Sequence, residues 1–155
     1  MKNVSPRLAL TRLQKICSLQ EKCTSDIMQK LKTWAIPEQD IQKIIGSLKR
    51  DKFIDEERFA VFFVRDKHKI NKWGREKIRY ALLHKGLAAE IIDAALSEIR
   101  EEKYNETLKE LLIKKKKEIK SNNSYEMKGK LIRFGTQRGY SFDIVYKLVD
   151  EVMKD

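Results

Sequence analysis

The segment Thr24-Ser-Asp-Ile-Met-Gln-Lys-Leu-Lys-Thr-Trp-Ala-Ile-Pro-Glu-Gln-Asp-Ile-Gln-Lys-Ile-Ile-Gly-Ser-Leu-Lys-Arg50 spaces its apolar residues by three and four. Ile41, Ile44, Ile45 and Leu48 form one stripe, with Gln42, Lys43 and Lys49 on the opposite side, which is the signature of a helix burying one face. Thr24 and Ser25 offer N-cap oxygens for a helix running to about Trp34, and Pro37 suits the first position of a helix running to about Arg50. The segment therefore reads as helix, tight turn, helix.

The same pattern recurs along the chain. A shift of 51 residues places Ile27 on Ile78, Leu31 on Leu82, Ile36 on Leu87, Ile41 on Ile92, Ile45 on Leu96 and Phe53 on Tyr104. A further shift of 53 places Gly86 on Gly139, Leu87 on Tyr140, Ile92 on Val145 and Leu96 on Val149. Turn positions coincide together with apolar positions, so the chain is read as a triplicated helical module. Gly86 and Gly139 each follow a cation, as expected of helix C-termini closed by a left-handed residue. Asp55 is expected to cap a helix through Phe59, Phe62 and Phe63, and Ser141 to cap the last one. The last helix should bury Phe142, Val145, Tyr146, Val149 and Val152 on one face. No stretch sustains period two. The expected fold is all-α, an elongated tandem array of three-helix, helix-turn-helix-like repeats with about nine helices. Its expected parts are an N-terminal helix at 1–22, repeat 1 at 23–71, repeat 2 at 72–122, and a C-terminal repeat 3 at 123–155 truncated to two helices.

Composition narrows the function. The 155 residues carry 34 Lys+Arg against 23 Asp+Glu, a formal net charge of +11. The excess is concentrated. Arg65 to Lys85 holds eight basic residues against Asp66 and Glu76, and Lys114 to Arg138 holds nine against Glu118 and Glu126. Together these stretches exceed the net charge of the chain. A single surface lysine is usually just solvated, but like charges gathered at this density repel one another unless a polyanion is a partner. Nucleic acid held through its phosphates, without base reading, is the expected polyanion. The residues expected to meet these phosphates are Arg65, Lys67, Lys69, Lys72, Arg75, Arg79, Lys85, Lys114, Lys115, Lys128, Lys130, Arg133 and Arg138. Phe53, Phe59, Tyr104, Phe134 and Phe142 sit at helical spacing with aliphatic residues and are expected in the core rather than against bases. Trp73, between Lys72 and Gly74, is read as a packing residue.

Groups for catalysis are missing. The glycines are isolated, so no phosphate-cradling loop is present. His68 and His84 lack Cys or carboxylate partners at ligand spacing, and Cys17 and Cys23 are too few for a zinc site or a disulfide framework. No enzyme activity, cofactor or metal is expected. The first residues, Met1 to Arg7, are followed by no apolar stretch of a secretory leader, and no apolar run approaches 18 residues. A cytoplasmic, reduced monomer is expected.

Three segments also carry a family resemblance: Lys52-Phe-Ile-Asp-Glu-Glu-Arg-Phe-Ala60, Gly74-Arg-Glu-Lys-Ile-Arg-Tyr-Ala-Leu-Leu-His-Lys-Gly86, and Lys130-Leu-Ile-Arg-Phe-Gly-Thr-Gln-Arg-Gly-Tyr-Ser-Phe-Asp-Ile-Val145. In this order and spacing they resemble the bacterial RecX regulatory proteins. Departures are Lys52 and Ala35 at positions where the family has turn glycines, and Gly135-Thr136 in place of an apolar pair. The resemblance implies a non-enzymatic repeat protein that binds the RecA recombinase filament on single-stranded DNA and opposes its growth, tuning recombination, DNA repair and the SOS response. Contact with duplex DNA would be non-specific. The alternative is a sequence-independent DNA-binding protein of helix-turn-helix type. Against it, Pro37–Arg50 and Ala88–Arg100 are too acidic or apolar to read base edges.

Overall fold

A computed structural model describes residues 4–154. Residues 1–3 and 155, which begin the expected 1–22 segment and the leader reading and end the 123–155 segment, lie outside the described residues. Among the described residues there are nine helices and no strand: α1 Pro6–Leu19, α2 Thr24–Thr33, α3 Glu38–Arg50, α4 Glu56–Lys69, α5 Arg75–His84, α6 Ala89–Leu96, α7 Glu101–Glu118, α8 Ser124–Gln137 and α9 Phe142–Lys154. The chain divides into two compact units, Met1–Phe63 with Leu82–Ile92, and Val64–Ala81 with Asp93–Asp155.

In the first unit α1 and α2 both pack on α3. Ala9, Leu13 and Cys17 meet Ile27 and Leu31 and the α3 stripe Ile41, Ile44, Ile45 and Leu48 in one buried cluster. Each large aliphatic side chain buried there contributes about 1.5–3 kcal/mol of transfer free energy. Charged contacts fasten the start of α4 to this core. Arg58 Nε donates to Glu21 at 2.6 Å, the Thr24 N–H to Glu56 at 3.2 Å, and Lys85 Nζ to Asp26 at 3.0 Å. Burial raises the Asp26 carboxyl, but Lys85 and the Cys23 N–H outweigh it and hold the group below the ordinary carboxylate range. Burial pushes both free thiols, Cys17 and Cys23, up, away from reactive thiolate.

In the second unit α7, α8 and α9 pack on one another. Tyr104, Leu108 and Leu112 descend α7 at spacings of four onto Leu131, Val145, Leu148, Val149 and Val152.

The module is visible in its turns. The Ala35, Gly86 and Gly139 N–H groups donate to the carbonyls of Lys32, Leu83 and Thr136, at 3.0, 2.9 and 3.1 Å. The next N–H groups, of Ile36, Leu87 and Tyr140, reach back five residues to Leu31, Leu82 and Gly135. All three turn residues are left-handed, with φ of 56°, 87° and 99°. This is the six-to-one helix closure that favours glycine. Lys52, which ends α3 at φ 64°, completes the same bond pattern with Phe53 donating to Leu48.

Several expected boundaries differ. Cys23, not Thr24 or Ser25, precedes α2, and its N–H donates to Asp26 Oδ2 at 3.2 Å. Pro37 lies just outside α3. The helix expected to reach Arg100 stops at Leu96, because Ile99 turns into the second core and its carbonyl accepts from Arg75. Phe142 is 57% exposed and Tyr146 42%, so the buried stripe of α9 is Val145, Leu148, Val149 and Val152.

Two glycine backbones meet inside the second unit. The Gly74 N–H donates to the Arg138 carbonyl at 2.8 Å, and the Glu76 N–H to the Gly139 carbonyl at 3.0 Å. A Cβ on Gly74 would overlap the Gly139 main chain. An aromatic column flanks the crossing. His68 stacks on Tyr104 at 5.5 Å, Tyr104 leans on Tyr140 at 4.9 Å, and the Tyr140 hydroxyl donates to the Lys72 carbonyl at 2.9 Å. His68 is 8% exposed; its Nδ1 lies 3.0 Å from the Trp73 carbonyl, and its Nε2 is buried without a partner. Burial, with Lys72 and Arg75 nearby, therefore depresses its pKa, against the pull of the Trp73 carbonyl.

Three outcomes follow from this architecture. Ala35→Gly relieves a left-handed alanine and should raise stability by about 0.5–1 kcal/mol, read as a higher urea midpoint. Gly74→Ala should cost about 3 kcal/mol, because backbone rather than a flexible side chain must move. The unfolded chain protonates His68 near pH 6.5 while the folded chain does not. Stability is thus complete above that pH and drains as pH falls toward the depressed native pKa. Urea titrations of wild type and His68→Gln between pH 7.5 and 5 should show a shallower loss in the variant.

Candidate nucleic-acid interface

The thirteen cations expected at phosphates divide by what they touch. Lys85 belongs to the first compact unit, on Asp26 and 5.9 Å from the Phe59 ring centroid. The other twelve are in the second unit. Arg75 is built into the fold: its N–H donates to the Tyr104 hydroxyl at 2.8 Å, and its guanidinium bonds Glu101 at 2.6 Å and the Ile99 carbonyl at 3.0 Å, 4.1 Å from the Tyr104 centroid. Arg65 pairs with Glu98 at 3.1 Å, and Arg79 with Asp93. Arg138 donates to the Asn71 carbonyl at 3.0 Å and lies 5.2 Å from the Phe134 ring. Lys67 and Lys77 both lie against the part-buried Trp73 ring, at 5.1 and 4.6 Å. Around Arg75 and Arg79, Glu76, Glu101 and Asp143 share the same cleft, so it carries no surplus of positive charge.

The surplus lies where α7 ends and α8 begins. The Lys114–Lys117 run closes α7, where cations suit the negative dipole end. Lys116 Nζ turns inward to the Val152 carbonyl at 3.0 Å, and Lys115 lies 5.3 Å from the Phe134 ring. Asn123 then starts α8, its Oδ1 accepting from the Tyr125 and Glu126 N–H groups at 2.9 and 3.1 Å. Lys115, Lys120, Lys130 and Arg133 line one cleft, with Glu118 as its acidic member. Lys128, Lys130 and Arg133 line an adjoining cleft with Tyr125 and Tyr146. Lys128 is committed to α9: Asp150 at 2.8 Å and the Tyr146 hydroxyl at 3.3 Å hold its ammonium above the ordinary lysine range. Lys130 pairs with Glu126 at 3.0 Å one turn away. An exposed pair of this kind contributes only about 0.3–0.5 kcal/mol, so Glu126 holds Lys130 weakly. Among the described residues Lys69, Lys72, Lys114 and Arg133 are exposed with no ion pair.

Thus Lys115, Lys130 and Arg133 come together, joined by Lys120, which charge density alone does not single out. Lys85, Arg65, Arg75 and Arg79 are engaged elsewhere. Tyr125, 87% exposed, was also missed, although it falls off the Met127, Leu131, Phe134 stripe that α8 presents to the core. Among the described residues no cluster of His, Cys, Asp and Glu could hold a metal ion, and no helix is long and apolar enough to cross a membrane.

Known proteins share this architecture. Regulatory protein RecX of Clostridium botulinum (strain Alaska E43 / Type E3) is 35% identical over 134 residues, 85% of this chain and 62% of that protein. Its counterpart in Clostridium acetobutylicum is 31% identical over 138 residues, 86% of this chain and 64% of the relative. The chain therefore spans a little under two thirds of the length of these clostridial relatives. A crystal structure of regulatory protein RecX superposes with a TM-score of 0.85 at 27% identity, covering 94% of this chain and 71% of that one. RecX from Lactobacillus salivarius superposes at 0.83 with 21% identity and 97% of both chains covered, a likeness of fold alone. The family model for the second three-helix domain of RecX matches residues 55–96, which is α4–α6, and that for the third matches 101–149, which is α7–α9. These two domains, matched in order over more than half of the residues, mean that the chain belongs to the RecX regulatory protein family.

Proposed function

We propose that this protein regulates the RecA recombinase. It lies in the groove of the RecA–single-stranded DNA filament and opposes filament growth, and so tunes recombination, DNA repair and the SOS response. It acts in the cytoplasm, as a monomer and without catalysis of its own. The observation that carries this reading is the pair of matched RecX domains. The cluster of cations around Lys115, Lys120, Lys130 and Arg133 supports it, because a filament groove exposes phosphates to a surface that need not read bases. Lys69, Lys72 and Lys114 extend the set of exposed cations. Arg65, Arg75, Arg79 and Lys85 serve mainly to hold helices together, and Lys67, Lys128 and Arg138 contribute charge from tethered positions.

Two measurements test the proposal. RecA ATPase on single-stranded DNA should fall when the protein is added below one molecule per RecA; no change with folded protein rejects the reading. Lys120→Glu with Arg133→Glu should weaken filament binding by about tenfold or more at 0.1 M salt and flatten its salt dependence, with helicity by circular dichroism unchanged. Arg75→Ala should instead lower thermal stability.

A further inference from the structure

One residue in the α8 cleft has no explanation in the fold. Gly129 lies in the middle of α8 and is exposed, and a Cβ built on it meets nothing within 4 Å. A helix-interior glycine is unfavourable relative to alanine, and here no packing requires it. Its position on the helix is informative. Tyr125, Gly129 and Arg133 are spaced by four, so they fall on one face, about 6 Å apart along the axis at each step. All three line the same cleft, with Tyr146 from α9 on its wall. Tyr125 is the most exposed of the large hydrophobic side chains, and Tyr146 is steadied by Lys128, 4.4 Å from its ring centroid.

We infer that this face binds single-stranded nucleic acid by stacking a base on Tyr125, with the strand passing over Gly129 and its phosphates on Lys130 and Arg133. An exposed aromatic ring beside cations is the arrangement that holds unpaired strands without sequence choice, since every base has a flat face and a duplex hides it. The missing Cβ leaves the floor of the cleft open for close approach of the strand. Lys128, Lys130 and Arg133 against the one acid Glu126 in the lining leave a positive surplus that selects a polyanion over an apolar peptide. The inference rests on the nucleic-acid part of the proposed function and adds bases to phosphates as recognised groups.

The test uses the full chain and fluorescence anisotropy with three labelled oligomers of equal phosphate count: oligothymidylate, an abasic strand and a duplex. Oligothymidylate should bind most tightly. Tyr125→Ala should weaken it by about tenfold while leaving the abasic strand unchanged, and Tyr125→Phe should retain wild-type affinity. Gly129→Ala should raise the melting temperature yet weaken oligothymidylate binding, so that misfolding cannot account for the loss. Gly46→Ala, at a second mid-helix glycine with nothing around it, should raise the melting temperature and leave binding unchanged. Equal affinity for abasic and base-bearing strands, or an unaffected Tyr125→Ala, overturns the inference while leaving phosphate binding intact. No binding of any oligomer overturns it as well. The proposed function is judged separately, by RecA ATPase with Tyr125→Ala, whose effect on the filament does not require a free strand.

Discussion

The crossing of two main chains at Gly74 and Gly139 governs the second compact unit. Their hydrogen bonds, from Gly74 to Arg138 and from Glu76 to Gly139, bring the start of α5 to the start of α9 with no side chain between them. Side chains would not give this proximity, because any Cβ at Gly74 collides with backbone. Adjacent groups follow from it. Tyr140 reaches the Lys72 carbonyl, which fixes a lysine at φ 60°, and Tyr104 is left between His68 and Tyr140. A left-handed lysine costs about 1–2 kcal/mol, and it persists because the crossing and the tyrosine bond determine its carbonyl.

That crossing also sorts the cations. Arg75 follows Gly74 directly and is thereby delivered to the Tyr104 ring, to Glu101 and to the Ile99 carbonyl. Its charge is largely satisfied within the chain. At the end of α7 and along α8 only Lys128 and Lys130 find acids, and there Lys114, Lys115, Lys117, Lys120 and Arg133 are left without an ion pair among the described residues. Exposed ion pairs contribute at most about 1 kcal/mol each, so the paired cations cannot offset the repulsion accumulated at this end. A polyanion offsets it directly.

Periodicity was legible in the letters; partnership was not. The α3 stripe, the three homologous turns and the all-helical class rest on residues a few positions apart, which local patterns encode. Turn residues at the positions of Ala35 and Gly139 align by a simple slide, and both prove left-handed. The 51-residue period, by contrast, does not say where a unit starts, because every helix recurs with the same spacing. Nor does composition tell a bound cation from a free one. Arg65 and Glu98, or Arg79 and Asp93, are brought together only by folding. Phe142 keeps the helical spacing of a core residue, yet it sits at the edge of the stripe on Tyr146, 5.7 Å away between ring centroids. The cap at Cys23 is not legible in its own side chain, because the stabilising oxygen comes from Asp26 within the helix.

Sequences that fold reliably agree with their structure at every level, and the places of disagreement mark function or strain. Here the disagreements are few. Lys52 and Ala35 are strained turns with evident partners in their helix closures. Gly135 conflicts with helix propensity, but its missing Cβ admits Val145, whose Cγ1 would lie 2.8 Å away. Gly129 conflicts with propensity and admits nothing from the chain itself. It shares a cleft with two tyrosines and two cations that the core does not use, whereas Gly46, equally unexplained by packing, lines none of the clefts described above. An opening that the fold does not fill, bordered by flat rings and positive charge, matches in form and charge the base-bearing strand we infer for it.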